Sequence, residues 1–316
     1  MPGIIGASSG FSRRLLYKQR WFLGIRKRNG EALSTYTDHS NYRLLAAPRD
    51  RFYADPFLIT YNGANYLFFE DYQYLRGRGI ISCMELDDSG RPLWTAEVLR
   101  RPYHLSYPFV FQWAQELWMI PETSANGTVE LYRCVRFPDQ WIFERTLLNS
   151  VCCSDSTLLE YNGQWWLFTS IDGPRRYTYD NLSLFYSASP AGDWAAHPLN
   201  PIVTDASRAR PAGRIFEDGS GLIRPGQDCS NGYGSAICFH RIERLDEHTY
   251  REHVLNRISP DWCNGCAGTH TYNCNDDFEV LDGYKLELDL YGKWLSLVGT
   301  ARSSWMKESL ELSIPR

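Results

Sequence analysis

The chain has 316 residues, a formal net charge of −4 at pH 7 and a sequence pI near 6.0, so it lacks the basic excess of a nucleic-acid-binding protein. No stretch approaches the roughly 18 apolar residues that a membrane-spanning helix needs, and no transmembrane segment is predicted. Aromatic residues make up 15 % of the chain, which suits strands and also sugar-binding surfaces. Most of these rings are expected to fill space between sheets.

The cysteines and the N-terminus bear on the compartment. Nine cysteines, including the neighbours Cys152 and Cys153, favour reduced thiols over a disulfide framework. The first ten residues lack the charged-then-apolar order of a secretory signal. The expected location is therefore cytoplasmic.

Residues 52–70 form the unit on which the chain is built. Two runs of aromatic and branched residues flank Asn62-Gly63, a dipeptide that favours the left-handed conformations of a tight hairpin turn. Asp55 precedes Pro56, and a proline belongs at the start of a strand because it cannot donate to a β-ladder. The unit therefore predicts two antiparallel strands with the Asp55 carboxylate at the mouth of the hairpin.

This unit recurs at intervals of roughly 50 residues, the period of a propeller blade of about four strands. The copies begin near Tyr107, Asp155, Pro211 and Thr269. The turns of the last three copies are expected at Asn162-Gly163, Asp218-Gly219 and Asp282-Gly283. The fold class is therefore predicted to be all-β, a five-bladed β-propeller.

The ends of the chain complete this picture. Residues 21–26 are predicted to form a strand that completes the last blade and joins the two ends of the ring, and 284–288 and 294–298 supply that blade's other strands. The predicted domains are an N-terminal arm (1–20), the propeller (21–302) and a C-terminal tail (303–316).

In a propeller each blade begins with its innermost strand, and the second strand runs back, so strand starts and second-strand ends gather at one mouth of the channel. The predicted strand-start residues are Asp55, Tyr107, Asp155, Arg210 or Pro211, and His270. The predicted strand-end residues are Glu70, Glu122, Ser170 and Gln227.

Several carboxylates at one mouth are what glycosidic-bond chemistry requires, with one as base or nucleophile and a protonated one as acid. Asp55 is predicted for the first role and Glu122 for the second, with Asp155 tuning their pKa values and holding sugar hydroxyls. The alternative is that Asp155 caps a turn and Glu122 pairs with an arginine. Glu217 is a weaker candidate acid, because it is expected to point to the opposite face.

Other polar residues are predicted to bind substrate. Arg224, Gln227 and Asp228 lie in a run that departs from strand alternation, and they suit hydroxyls or a phosphate unless the run is a locally bonded bulge. The complete predicted substrate-binding set is Glu70, Tyr107, Arg210, Arg224, Gln227, Asp228 and His270.

No metal and no cofactor are predicted. The series Cys263, Cys266, His270 and Cys274 has zinc-like spacing. However, His270 is placed on an inner strand rather than in the compact loop of a zinc site, and its use as a substrate contact is preferred.

At these residues the chain resembles the five-bladed propeller glycosidases, such as arabinanases, β-xylosidases and invertase-like enzymes. The resemblance implies an aspartate base or nucleophile in blade one, a stabilising aspartate in blade three and a glutamate acid in blade four. Asp55 and Asp155 match the first two. Arg210-Pro211-Ala212-Gly213 stands where the glutamate is expected, so Glu122 would have to replace it.

A more specific resemblance is to the propeller domain at the N-terminus of plant glucosamine inositolphosphorylceramide transferases and their bacterial relatives. The shared phrases are Tyr-Ala-Asp-Pro-Phe, Pro-Glu-Thr, Asp-Ser-Thr-Leu-Leu, Ala-Arg-Pro-Ala-Gly and Arg-Pro-Gly-Gln-Asp, spread over residues 48–275.

Two classes of function stay open. The preferred one is a carbohydrate-active enzyme that makes or breaks a glycosidic bond, by glycosyl transfer in glycan assembly or by hydrolysis of a glycan. If transfer uses a nucleotide-sugar, Arg210, Arg214 and Arg224 are the candidates for holding its diphosphate. The other class is a non-catalytic propeller that binds carbohydrate or serves as a scaffold.

Overall fold

Five antiparallel sheets are arranged as the blades of a propeller in a computed structural model that describes residues 17–28, 40–172, 179–219 and 221–288. The five-bladed β-propeller predicted from the repeats is therefore confirmed. In these residues the helices are the short 3-10 turns Ser124–Asn126 and Pro260–Trp262. No helix in this part of the chain is long and apolar enough to cross a membrane.

The first strands of the described residues are β1 (Tyr17–Lys27) and β2 (Arg43–Leu45), and blade one follows. Its strands are β3 (Arg51–Tyr61), β4 (Ala64–Gln73), β5 (Arg78–Leu86) and β6 (Pro92–Leu99), each paired with the next. The turn between β3 and β4 is the predicted one, because Asn62 and Gly63 have φ angles of 49° and 79°. Two successive positive φ angles match the twist of a hairpin, as the Asn-Gly pair indicates.

Blades two and three repeat this plan. Blade two contains β7 (Ser106–Trp113), β8 (Glu116–Thr123), β9 (Thr128–Arg136) and β10 (Gln140–Asn149). Blade three contains β11 (Cys153–Tyr161), β12 (Gln164–Ile171), β13 (Asn181–Ser187) and β14 (Ala195–Ala196), with β15 (Val203–Thr204) also paired to β13.

Blade four contains β16 (Phe216–Asp218), β17 (Gly221–Asp228), β18 (Ala236–Asp246) and β19 (Thr249–Ile258). Its inner strand is short, and the chain before it pairs with β17 through an isolated bridge between Pro211 and Gly226. A proline at this position fits a strand start, since it has no N–H to give to a ladder.

Blade five closes the ring. From the channel outward it contains β20 (Tyr272–Cys274), β21 (Phe278–Leu288), β1 and β2. All residues of β1, from Tyr17 to Lys27, pair with β21. The expectation that the strand around residues 21–26 completes the last blade is therefore confirmed, and the first and last blades are joined by strand pairing.

The predicted turn at Asp282-Gly283 is wrong. Both residues lie inside β21 and pair with β1, and the hairpin turn comes earlier, where the Asn275 side chain accepts hydrogen bonds from Asp277 N and Phe278 N. Residues 284–288 are the end of β21 rather than a separate strand. Residues 294–298 lie outside the described residues, as does the predicted tail, and the proposed domain boundaries stay a prediction.

Aromatic side chains fill much of the space between blades. The Phe57 ring of blade one meets the rings of Tyr107 and Phe109 of blade two at centroid distances of 4.7 and 5.7 Å. Phe68 meets Trp141 edge-on in the same layer, at 5.9 Å. The aromatic excess of the sequence is thus largely packing, with offset and edge contacts that aromatic pairs prefer.

Candidate functional site at the channel mouth

Three blades begin with the same backbone distortion. Asp55, Tyr107 and Asp155 have positive φ angles of 52°, 42° and 56°, and at each of them the pairing of the inner strand with its neighbour skips residues. A bulge of this kind takes the residue out of the ladder and re-aims its side chain. A non-glycine residue held in this conformation costs on the order of 1 kcal/mol or more, so its surroundings must fix it.

Carboxylates on the neighbouring blades hold these three strained residues in place. The backbone N–H of Asp55 donates to Asp282 Oδ2 at 3.0 Å, that of Tyr107 to Asp55 Oδ2 at 3.2 Å, and that of Asp155 to Glu122 Oε2 at 3.1 Å. The same contact therefore recurs at three blade junctions: the N–H of the bulge residue donates to a carboxylate of the preceding blade. These acidic side chains therefore have a structural role at the mouth.

Asp155 is enclosed. Its Oδ2 accepts hydrogen bonds from Arg210 Nε at 2.5 Å and Gln227 Nε2 at 2.7 Å, and the residue is 3 % exposed. Burial, with the neighbouring Glu122, raises the pKa of Asp155 to about 7, although the Arg210 cation opposes the shift. The predicted convergence of Asp155, Arg210 and Gln227 is found, but these groups bond to one another.

Asp55 is enclosed in a similar way. Its Oδ1 accepts a hydrogen bond from Thr271 Oγ1 at 2.8 Å and lies 3.8 Å from His270 Nε2. Burial raises its pKa to about 6, against the attraction of His270 and with the repulsion of Asp155 and Asp282. Asp55 and Asp155 are therefore near enough to influence each other's titration, as the ring geometry predicted.

His270 lies at the same mouth between rings and carboxylates. Its Nδ1 lies 2.6 Å from Asp282 Oδ2 and its ring stacks on Trp21 at 4.1 Å. Burial works against the charged ring, but Asp282 and Asp55 outweigh it, and the pKa of His270 is raised. His270 is 3 % exposed, so it acts within the network rather than at an open surface.

Asp55, His270 and Asp282 form the one group of three potential metal ligands found close together within the described residues. His270 Nδ1 is within hydrogen-bond distance of Asp282 Oδ2, and Asp55 Oδ1 accepts a hydrogen bond from Thr271. Within the described residues, the cysteines of the zinc-like series do not come together with His270 as a group of metal ligands. Cys266 Sγ instead donates to the Gly268 carbonyl at 3.1 Å, and His270 is held by Asp282.

Glu70 and His104 form a second acidic corner. Glu70 Oε1 is buried without a hydrogen-bond partner and lies 3.5 Å from His104 Nε2. Burial, with Asp55 and Glu122 nearby, raises the pKa of Glu70 well above its usual value. The Gly79 N–H donates to His104 Nδ1 at 2.8 Å, and burial lowers the His104 pKa to about 4. His104 is therefore neutral at pH 7, with its proton on Nε2.

A pocket of about 470 Å³ opens beside this corner, between blades one, two and three. It is lined by Tyr72, Gly77, His104, Glu122, Ser124, Ala125, Cys152 and Asp172. Glu122 is the predicted catalytic residue that reaches it, with Oε1 accepting a hydrogen bond from Ser124 Oγ at 2.7 Å. His104 is absent from the sequence-based predictions because this residue lies in the loop before β7, whereas the candidates were chosen only from the starts and ends of strands.

Tyr107 closes the channel instead of offering a surface to substrate. Its hydroxyl donates to or accepts from Thr157 Oγ1 at 2.8 Å and accepts from the Gly213 N–H at 2.6 Å. It has no exposed surface. Because Tyr107 belongs to blade two and Gly213 lies in the segment that leads into blade four, the side chain crosses the channel. Its predicted role as a substrate contact does not fit this position.

Two further predicted contacts lie away from the pocket. Arg224 is 1 % exposed and forms two hydrogen bonds of 2.7 Å with Glu252. Asp228 Oδ2 lies 2.9 Å from Arg257 Nη2. Arg224 and Asp228 thus have ion-pair partners within the fold, and their predicted use for hydroxyls or a phosphate stays a prediction. The three arginines considered for a diphosphate have different neighbours. Arg210 pairs with Asp155 and Arg224 with Glu252, whereas Arg214 lies over the Phe109 ring.

The architecture is shared with solved propeller glycoside hydrolases. Zg3597, a family 117 glycoside hydrolase of the marine bacterium Zobellia galactanivorans, superimposes with a TM-score of 0.52 at 13 % identity, covering 85 % of this chain and 92 % of that one. An exo-beta-1,3-galactanase of Clostridium thermocellum gives 0.52 at 12 % identity, with 79 % and 62 % covered. At such identities the likeness concerns the fold alone.

Sequence similarity places the chain in a family that is narrower than this shared fold. The chain belongs to the family described as glucosamine inositolphosphorylceramide transferase 1, N-terminal, whose model matches residues 42–286. Glucosamine inositolphosphorylceramide transferase 1 of Oryza sativa subsp. japonica is 39 % identical over 210 residues, 65 % of this chain and 28 % of the rice protein. The Arabidopsis thaliana protein of the same name is 38 % identical over 207 residues, 64 % and 27 % of the two chains. The match thus spans little more than a quarter of these relatives.

Proposed function

We propose that this propeller binds a carbohydrate in the pocket beside the channel mouth. The observation that carries the proposal is the lining of the pocket, where Glu122, Ser124 and His104 converge next to the Tyr72 ring. A volume of about 470 Å³ lies within the usual range for small-molecule sites. Sugars need both acceptors and donors. Glu122 supplies carboxylate oxygens, and neutral His104 supplies an N–H.

The charge of the lining favours a neutral polyhydroxyl ligand over a diphosphate. The described lining residues include the carboxylates Glu122 and Asp172 but no lysine or arginine. Phosphate recognition normally uses such cations. The curated relatives are named glucosamine inositolphosphorylceramide transferase 1, so glucosamine and inositol-containing glycans are the first ligands to test.

Glycosidic-bond chemistry, by transfer or hydrolysis, is the second candidate. It is favoured by the raised pKa values of Asp55, about 6, and Asp155, about 7, since acids that titrate near neutrality suit proton transfer. Two catalytic carboxyl groups must also face a shared open space. Asp55 and Asp155 are instead enclosed by Thr271, Arg210 and Gln227, which makes binding the better-supported function.

A glycan array tests the binding proposal. Ala125 is an exposed residue on the pocket wall, so Ala125→Trp is expected to fill the pocket and lower the array signal at least tenfold. Leu93→Trp adds the same side chain at an exposed position of β6 and is expected to leave the signal unchanged. Equal binding by both variants would contradict the proposed site.

Turnover separates the two candidates. Glycans that bind are incubated with the protein, with and without sugar nucleotides and acceptors, and products are read by mass spectrometry. The binding function predicts no product. Product that disappears in both Asp55→Asn and Glu122→Gln, while both variants remain folded at the assay temperature, would instead establish the enzyme.

A further inference from the structure

Most enclosed arginines among the residues that the structure describes face an acid. Arg26 Nε lies 2.6 Å from Glu279, Arg210 Nε lies 2.5 Å from Asp155, and Arg224 Nε lies 2.7 Å from Glu252. This is the expected arrangement, because an enclosed charge is costly unless a partner compensates it.

Arg214 departs from this pattern. Within the described ranges, no acidic side chain lies within ion-pair distance of its guanidinium. The group instead lies over the Phe109 ring, 4.6 Å from the centroid, and one nitrogen, Nη2, donates to the Val110 carbonyl. A guanidinium carries five N–H donors, so a single carbonyl leaves most of its capacity unused.

The position of Arg214 is also unusual. Its backbone N–H bonds Asn273 of blade five, while its side chain reaches Val110 of blade two. Because the segment of Arg214 leads into blade four, which is not adjacent to blade two in the ring, this side chain crosses the channel. Phe109 and Val110 come after Tyr107 on β7, so the guanidinium lies beyond the Tyr107 hydroxyl, on the side away from the acidic mouth.

The guanidinium is desolvated yet reachable. Burial lowers the pKa of Arg214 to about 10, the opposite direction to the shifts of Arg210 and Arg224, which have acidic partners. The residue is nevertheless only half-buried. A group that is surrounded by protein but keeps some accessible surface lies in a recess, where a counter-charge can enter.

We infer that Arg214 forms an anion-binding site inside the propeller channel, separated from the carbohydrate pocket by Tyr107. The ligand is a small anion, either an inorganic ion such as chloride or phosphate, or a carboxylate. It supplies the counter-charge that Asp155 and Glu252 supply to the other arginines. The site joins blades two and four from within the channel, so occupancy stabilises the ring.

The test compares urea unfolding of three proteins: the wild type, Arg214→Met and Arg43→Met. Arg43 is a matched control, because it is exposed and also donates to a single carbonyl, that of Ser89, at 2.8 Å. Ionic strength is held constant with sodium methanesulfonate while chloride, phosphate or acetate replaces it. The acetate arm distinguishes a carboxylate ligand from an inorganic one.

At an anion concentration of about 100 times Kd, the folding equilibrium constant of the wild type and of Arg43→Met should rise by about a hundredfold. Arg214→Met should not respond, and without the anion it should be at least as stable as the wild type, because an uncompensated charge has been removed. Two outcomes overturn the inference. One is an equal anion response in all three proteins, and the other is a stability loss in Arg214→Met that is the same at every anion concentration.

Crystals of the wild type soaked in bromide give a second readout that does not depend on the folding of any variant. An anomalous peak beside the Arg214 guanidinium is expected. Bromide bound only at exposed arginines, with none beside Arg214, would overturn the inference.

Discussion

At the scale of single residues, burial raises the pKa values of several carboxyl groups at the mouth. The pKa of Asp55 is raised from 3.8 to about 6, so the folded state binds its proton more tightly than the unfolded chain does. The stability contributed by this proton is present below about pH 4 and is lost as the pH rises through about 6.

The stability difference between the wild type and Asp55→Asn should therefore shift against the wild type between pH 4 and pH 7, by up to about 3 kcal/mol. The measurement is the free energy of unfolding in urea at each pH for both proteins. Parallel pH profiles would contradict the raised pKa. Asp87→Asn is a suitable control, because Asp87 is a partly exposed aspartate with a lowered pKa.

The residues of the mouth could be predicted only in part. Asp55, Asp155 and Glu122 were found because repeat spacing fixes which positions share a rim. Asp282 was missed, although its carboxylate accepts from the N–H groups of Asp55, His270 and Thr271. Its partners are far from it in sequence or across a hairpin, and local pattern carries no signal for such contacts.

At the scale of elements, the bulges that open blades one to three depend on the carboxylates that accept their N–H groups. In Glu122→Ala the Asp155 N–H loses its acceptor, and we expect a loss of about 1–3 kcal/mol in the free energy of unfolding. Glu122→Gln keeps an oxygen in place and should lose less than half as much. Glu116→Ala removes an exposed carboxylate of the same strand and should cost under about 1 kcal/mol. Equal losses in all three would contradict this role.

Strand hairpins were predictable where the turn had a local cause. Asn62-Gly63 and Asn162-Gly163 both adopt positive φ, as such dipeptides favour. The Asp282-Gly283 dipeptide also favours a turn by its sequence, but it lies inside β21. A Cβ on Gly283 would come within 2.7 Å of Cys266 Sγ and 2.8 Å of the Trp262 ring, so this glycine serves close packing rather than a turn.

At the scale of the whole molecule, ring closure depends on β1. Leu23 is fully buried in this strand and packs with blades one and five. Leu23→Ala should lower the free energy of unfolding by about 2–5 kcal/mol, whereas Gln19→Ala, at an exposed position of the same strand, should change it by less than about 0.5 kcal/mol. Denaturant unfolding measures both. A Leu23→Ala effect as small as that of Gln19→Ala would show that β1 is not part of the closed core.

The central claim, that ring closure builds a carbohydrate site at the acidic mouth, is tested most directly by the crystal structure of the protein with a glycan that it binds. The account predicts a sugar residue whose hydroxyls contact Glu122 and His104 Nε2, with the Tyr72 ring beside it. A glycan bound on the outer strands of the blades, or at the opposite end of the channel, would contradict it.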